Sequence, residues 1–201
     1  MISIALATED NLSEEIGRRL IGEMGTNFEV GLTFRKGGYG YLKSSIKKFY
    51  SFSKTMPLLL IADLDKAPCA NFLISKWIGD RVLPEKFLFR VAVREIEAWL
   101  LADHAGMKNL LGPGGTKLPR TPDSLLDPKQ VLLNFARKAP RDVRNDLIAE
   151  RGAIASQGLG YNQRMGDFIQ SKWNPSHASS RSDSLRRARI RLKHFAKRLT
   201  R

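Results

Sequence analysis

The chain has 201 residues, 34 of them Lys or Arg against 20 Asp or Glu, giving a net charge of +14 and a pI near 10.2. So much positive field has little use in an enzyme of small metabolites; it implies a polyanionic partner, whether nucleic acid, an acidic protein or an anionic membrane surface. Hydrophobic residues at 42% and charged residues at 27% are those of a folded soluble chain, which excludes a disordered one. No apolar run approaches the roughly 18 residues of a membrane span, and the N-terminus leads into a strand-like segment with no basic leader. A cytoplasmic location is therefore expected, and the membrane is the least favoured partner. The single cysteine, Cys69, excludes an internal disulfide and a thiolate metal cluster and is read as a packing residue.

In chain order, Ile2 to Ala7 reads as a first strand, and Thr8-Glu9-Asp10 leads into a helix. Asn11 with Glu14 three residues on is a capping-box-like start; Leu12, Ile16, Leu20 and Met24 keep helical spacing, and Gly25 ends it. Phe28 to Phe34 reads as a second strand, followed by a basic glycine loop, Arg35 to Gly40, and a helix from Tyr41 to Phe52. The loop fits neither nucleotide-binding glycine pattern, although its amides with Arg35, Lys36 and Lys43 suit a phosphate backbone.

Leu58 to Asp65 is the most informative stretch, because an apolar run of strand length ends in two aspartates two residues apart. Such a run is expected of a parallel strand covered by helices on both faces, with functional groups beyond its carboxyl end. Strand alternation would point Asp63 and Asp65 the same way, toward one cation; the competing reading is that one of them caps the next helix. A short helix is expected over Asn71 to Ile78 and a fourth strand over Lys86 to Val93, running into a helix from Arg94 to Asp103. Three acids, Glu95, Glu97 and Asp103, interrupt that nearly apolar helix, so these carboxylates are expected to face a site or a partner. For Glu95 the preference of carboxylates for a helix N-terminus is an equal explanation.

Strand and helix alternate through the first 105 residues, which predicts an α/β fold with a parallel, Rossmann-like sheet of about four strands and helices on both faces. The breakers Gly112, Pro113, Gly114, Gly115, Pro119, Pro122 and Pro128 predict a linker over 111–128 between an α/β domain, 1–110, and a basic helical extension, 129–201. Helices are expected there at Lys129 to Arg137, Ala139 to Glu150 and Asn162 to Trp173, and a last one capped by Ser182-Asp183-Ser184. The last has an apolar stripe of Leu185, Ala188, Leu192, Phe195 and Leu199. Arg186, Arg187, Arg189, Arg191, Lys193, Lys197, Arg198 and Arg201 surround it, a basic face suited to nucleic acid.

Collected by position, Glu9 follows strand one, Asp63 and Asp65 follow strand three, and Glu95 and Glu97 follow strand four. Gathered at one sheet edge they would repel one another unless a hard cation, Mg²⁺ or Mn²⁺, sat among them. An acidic cation pocket inside a basic chain is what phosphodiester hydrolysis requires. The order of these motifs resembles the TOPRIM fold shared by topoisomerases, primases and nucleases of the overcoming-lysogenization-defect type. Thr8 to Glu14 is similar to its glutamate motif, with Asp10 where a glycine is usual, and Ala62 to Asp65 to its DxD motif. Val91 to Asp103 resembles a signature of small TOPRIM-like proteins encoded beside ATPases in anti-phage loci.

The resemblance implies Glu9 as general base or metal ligand, Asp63 and Asp65 as metal ligands, and Glu97 with Glu95 completing a second metal site or orienting water. It implies a Mg²⁺- or Mn²⁺-dependent endonuclease of DNA or RNA, an antiviral effector with an ATPase partner, and it is compatible with a homo-oligomer. The rival readings are a non-catalytic nucleic-acid or protein-binding subunit and, less suited to the charge, phosphoryl transfer to a small nucleotide.

Overall fold

A computed structural model describes residues 1–112 and 117–200; Pro113, Gly114, Gly115 and Thr116 of the expected linker, and Arg201, lie outside the described residues. Four strands, β1 (Ile2–Ala7), β2 (Phe28–Phe34), β3 (Leu58–Asp63) and β4 (Phe87–Ala92), form an all-parallel sheet in the order β2-β1-β3-β4. The α/β class and the four-stranded parallel sheet follow the expectation from sequence. Leu58 to Ala62 of β3 are all at most 1% exposed, as their unbroken apolar run requires of a strand covered on both faces. At the edge, β2 has one neighbour and holds only half-buried and exposed residues.

Between these strands run α1 (Asn11–Gly22), α2 (Gly38–Phe52) and α3 (Ala70–Ile78). Leu42, Ile46 and Phe49 of α2, with Leu73, Trp77 and Ile78 of α3, share a core with Ala5, Ala7, Leu58, Leu60, Phe87, Phe89 and Val91. The alternate strand residues face the other side, where α1 packs so closely that a Cβ on Gly17 would stand 2.7 Å from a Leu6 methyl. Gly17→Ala is therefore expected to lower the unfolding midpoint. Overpacking a filled core costs about 1–3 kcal/mol, more than the roughly 1 kcal/mol that alanine gains in helix propensity.

Local chemistry moves several expected boundaries. Asp10, not Asn11, caps α1, its Oδ1 accepting the Ser13 N–H at 2.8 Å. Glu14 instead accepts from Arg18 and Arg35 at 2.7 and 2.9 Å. The loop expected over Arg35 to Gly40 is shorter, because Gly37 takes a left-handed φ of 80° and starts α2 at Gly38. Cys69 is exposed, and its Sγ accepts the Phe72 N–H at 3.5 Å at the start of α3, so it acts at a helix end rather than in packing.

The chain divides into two compact units, Met1–Val93 with Arg186–Arg201, and Arg94–Leu185. The division expected from sequence fell at the breaker-rich 111–128; the observed one falls after β4 and inside the last helix. The second unit holds α4 (Glu97–Leu101), α5 (His104–Leu111), a 3-10 turn (Pro122–Ser124), α6 (Pro128–Ala136), α7 (Arg141–Leu147), α8 (Tyr161–Ser171) and α9 (Pro175–Ala178). Every residue of α4 is buried, which is why it belongs to this unit's core with Trp173, Leu132, Leu133, Met165 and Ile169. The single helix expected from Arg94 to Asp103 is shortened to α4. Arg94 has a left-handed φ of 60°, and Asp103 caps α5 by accepting the Gly106 N–H at 3.3 Å.

The last helix, α10 (Asp183–Leu199), starts at Ser182 as expected, where the hydroxyl accepts the Leu185 N–H at 3.2 Å. From Arg186 onward α10 belongs with the sheet. Ala188, Leu192, Phe195 and Ala196 are buried, and Arg189 forms a bidentate pair with Glu23 just beyond α1, at 2.8 and 3.1 Å.

Candidate acidic site at the carboxyl edge of the sheet

In the order β2-β1-β3-β4, the connections leaving β1 and β3 lead to opposite sides, so a crevice opens beyond the carboxyl ends of these two neighbours. Glu9 lies two residues past the end of β1, and Asp63 is the last residue of β3. The Glu9 carboxylate bridges the two strand ends, Oε1 accepting the Asp63 N–H at 2.9 Å. Burial raises the Glu9 pKa to about 7, the Asp63 amide opposes the rise, and the charges of Asp65 and Asp10 add to it. Burial also raises Asp65, against the pull of Lys66.

Neither helix-capping alternative accounts for these acids. Asp10 caps α1 and Cys69 caps α3, which leaves Glu9, Asp63 and Asp65 outside both roles. The geometry nevertheless differs from simple strand alternation. Leu64 continues the ladder through its N–H to the Ala92 carbonyl at 2.9 Å and buries its side chain, and the backbone then turns at Asp65, φ 49°. A left-handed conformation is costly for a residue with a side chain and is held where the surroundings demand it. Asp65 thus reaches the electrostatic range of Glu9 through a turn, not through the pleat.

Glu95 and Glu97 belong to the second unit, where their carboxylates meet that unit's own groups. Glu95 Oε2 accepts the Lys129 N–H in the first turn of α6 at 2.8 Å, and Glu97, 3% exposed, accepts the Tyr161 hydroxyl at 3.1 Å. Asp103, 1% exposed, accepts the Asn174 N–H at 2.8 Å besides its role at α5. Of the basic residues expected to meet a polyanion, Lys36, Arg186, Arg187, Arg191, Lys193, Lys197 and Arg198 are exposed. Arg35 is held by Glu14, Arg189 by Glu23, and Lys43 lies 6.0 Å from the Tyr39 ring centre.

No family model, curated protein or solved structure matches this chain. The chemistry of the acidic edge has to be judged from its own groups. Its donors are all carboxylate oxygens, the hard ligands that Mg²⁺ and Mn²⁺ take. Among the described residues no three acidic, His or Cys side chains converge into a ready-made cage. Mg²⁺ is ordinarily held by one or two carboxylates, with waters and substrate phosphates completing the octahedron, and Glu9 with Asp65 fits that pattern. A proton on Glu9 is what a cation would displace.

Sequence reasoning passed over Arg90. It is the one charged residue within β4 and is partly buried, its Nε lacking a hydrogen-bond partner in the described structure. The signal was available as a single arginine inside the apolar run Phe87 to Ala92.

Proposed function

We propose that this protein is a metal-dependent endonuclease of the TOPRIM type, cleaving phosphodiester bonds in DNA or RNA. The observation that carries the reading is the bridge from Glu9 to the Asp63 amide at the switch point, with Asp65 close enough to raise the Glu9 pKa. Glu9, Asp63 and Asp65 are the acids assigned to the site; Glu95 and Glu97 are left to the roles described above. A bound Mg²⁺ or Mn²⁺ would supply Lewis-acid activation of water and stabilise the leaving oxygen. Glu9 is suited either to ligate that cation with Asp65 or, left unligated with a pKa near the working pH, to take a proton from the attacking water. Asp65, more exposed and on a turn, is suited to hold a cation from the solvent side.

The net charge of +14 supports a nucleic-acid substrate, and the exposed cations of α10 and of Lys36 offer its backbone an electrostatic seat. The cellular role that goes with this reading is an anti-phage effector governed by an ATPase partner. The test is incubation with plasmid, single-stranded DNA and tRNA, with Mg²⁺ or Mn²⁺ and with EDTA. Cation-dependent cleavage of at least one substrate is expected, weakening steeply as salt rises; binding without cleavage in any cation would leave the non-catalytic reading in its place.

A further inference from the structure

Arg90 sits in the sheet beside Ile61 of β3, and its neighbours Phe89 and Val91 face the α2–α3 core. Alternation turns Arg90 to the opposite side, toward α10. The charges of Arg191 and Arg187, one helical turn apart on α10 and both exposed, reach it there. A guanidinium cannot shed its proton in a protein, so burial leaves it charged and in need of an acceptor. The Arg90 Nε has none in the described structure. Burial, then Arg191 and Arg187, pull its pKa below the ordinary arginine range.

We infer that Arg90 and Arg191 form a phosphate-binding site on the α10 face of the sheet. Two guanidiniums within electrostatic reach of each other, one of them buried with an unmet Nε, call for an anion of more than one charge with several acceptor oxygens. A phosphate supplies both, and its oxygens match the guanidinium fork; a carboxylate has one charge and two oxygens. Arg90 would form the floor and Arg191 the rim. The inference does not depend on a metal at the acidic edge.

Thermal unfolding in EDTA, with inorganic phosphate titrated against chloride at equal ionic strength, tests it. The wild-type midpoint is expected to rise saturably, by about 5 °C at a hundredfold excess over Kd. Arg90→Met and Arg191→Gln should each lose most of that rise, while Lys138→Gln, exposed in the second unit, keeps it. Arg191 is on the surface, so its variant keeps the test valid even where replacement of Arg90 prevents folding. A short single-stranded oligonucleotide added with the phosphate separates the sources. Loss of the phosphate-dependent rise assigns the site to a nucleic-acid backbone, and its persistence assigns it to a free phosphate. Equal rises in the wild type and both arginine variants overturn the inference.

Discussion

Glu9→Gln is expected to lower cation-dependent cleavage by about 10²–10⁴-fold, the usual worth of a positioned acid–base group, without loss of stability. Glutamine keeps an oxygen to accept the Asp63 N–H and removes only the titration. The stability effect has a definite sign. Glu9 titrates near 7 when folded, against an ordinary value of 4.5 for an unfolded chain, so between those values the folded chain holds a proton that the unfolded chain has released. Wild-type stability should therefore fall as pH rises from about 4.5 to 7, by up to about 3 kcal/mol, and remain lower above that. The glutamine variant should lack this slope and match or exceed the wild type at pH 8. Urea unfolding at pH 5, 6, 7 and 8, alongside single-turnover cleavage at pH 8, measures both. A variant that still cleaves at the wild-type rate removes Glu9 from the chemistry.

Asp103→Ala is expected to act in the opposite way, costing about 3 kcal/mol of stability and affecting cleavage only through the amount of folded protein. The carboxylate is 1% exposed and accepts two backbone N–H groups, from Gly106 at 3.3 Å and Asn174 at 2.8 Å. Alanine would leave the buried Gly106 N–H and the half-buried Asn174 N–H without an acceptor, at about 1–3 kcal/mol each. Asp103→Asn, which retains one acceptor oxygen, should fall between the two in chemical denaturation. An alanine variant of unchanged stability that had lost cleavage would move Asp103 into the active site.

Those two acids mark what the sequence could and could not reveal. The strands were legible because an unbroken apolar run such as Leu58 to Ala62 is nearly specific to a strand covered on both faces, and β2 and β3 begin where the pattern says. Glu9, Asp63 and Asp65 were legible as a group because parallel strands deliver whatever follows them to one edge. The turn at Asp65 was not, since a left-handed aspartate has no periodic signature. The acids of Arg94 to Asp103 pointed to a site or a partner only while that segment was treated as one helix. Divided at Asp103 and buried all round in α4, it uses Glu97 and Asp103 as internal hydrogen-bond acceptors. The unit boundaries were hidden for a related reason: glycines and prolines announce flexible backbone, whereas membership of a unit is decided by which apolar face meets which.

The position of α10 also bears on how the molecule comes into being. The sheet's α1 side gains the buried residues Ala188, Leu192 and Phe195 from a segment separated from β4 by the whole second unit. Closing that intervening loop of about 90 residues adds an entropic cost that grows only slowly with length, so the return of α10 is affordable but late. During synthesis the four strands emerge long before their last helix. Over that interval Leu88 and its neighbours on that face stay uncovered, an aggregation-prone surface for a nascent chain. A pulse-labelled chain halted before Arg186 should accordingly depend on chaperones in a way that the completed one does not.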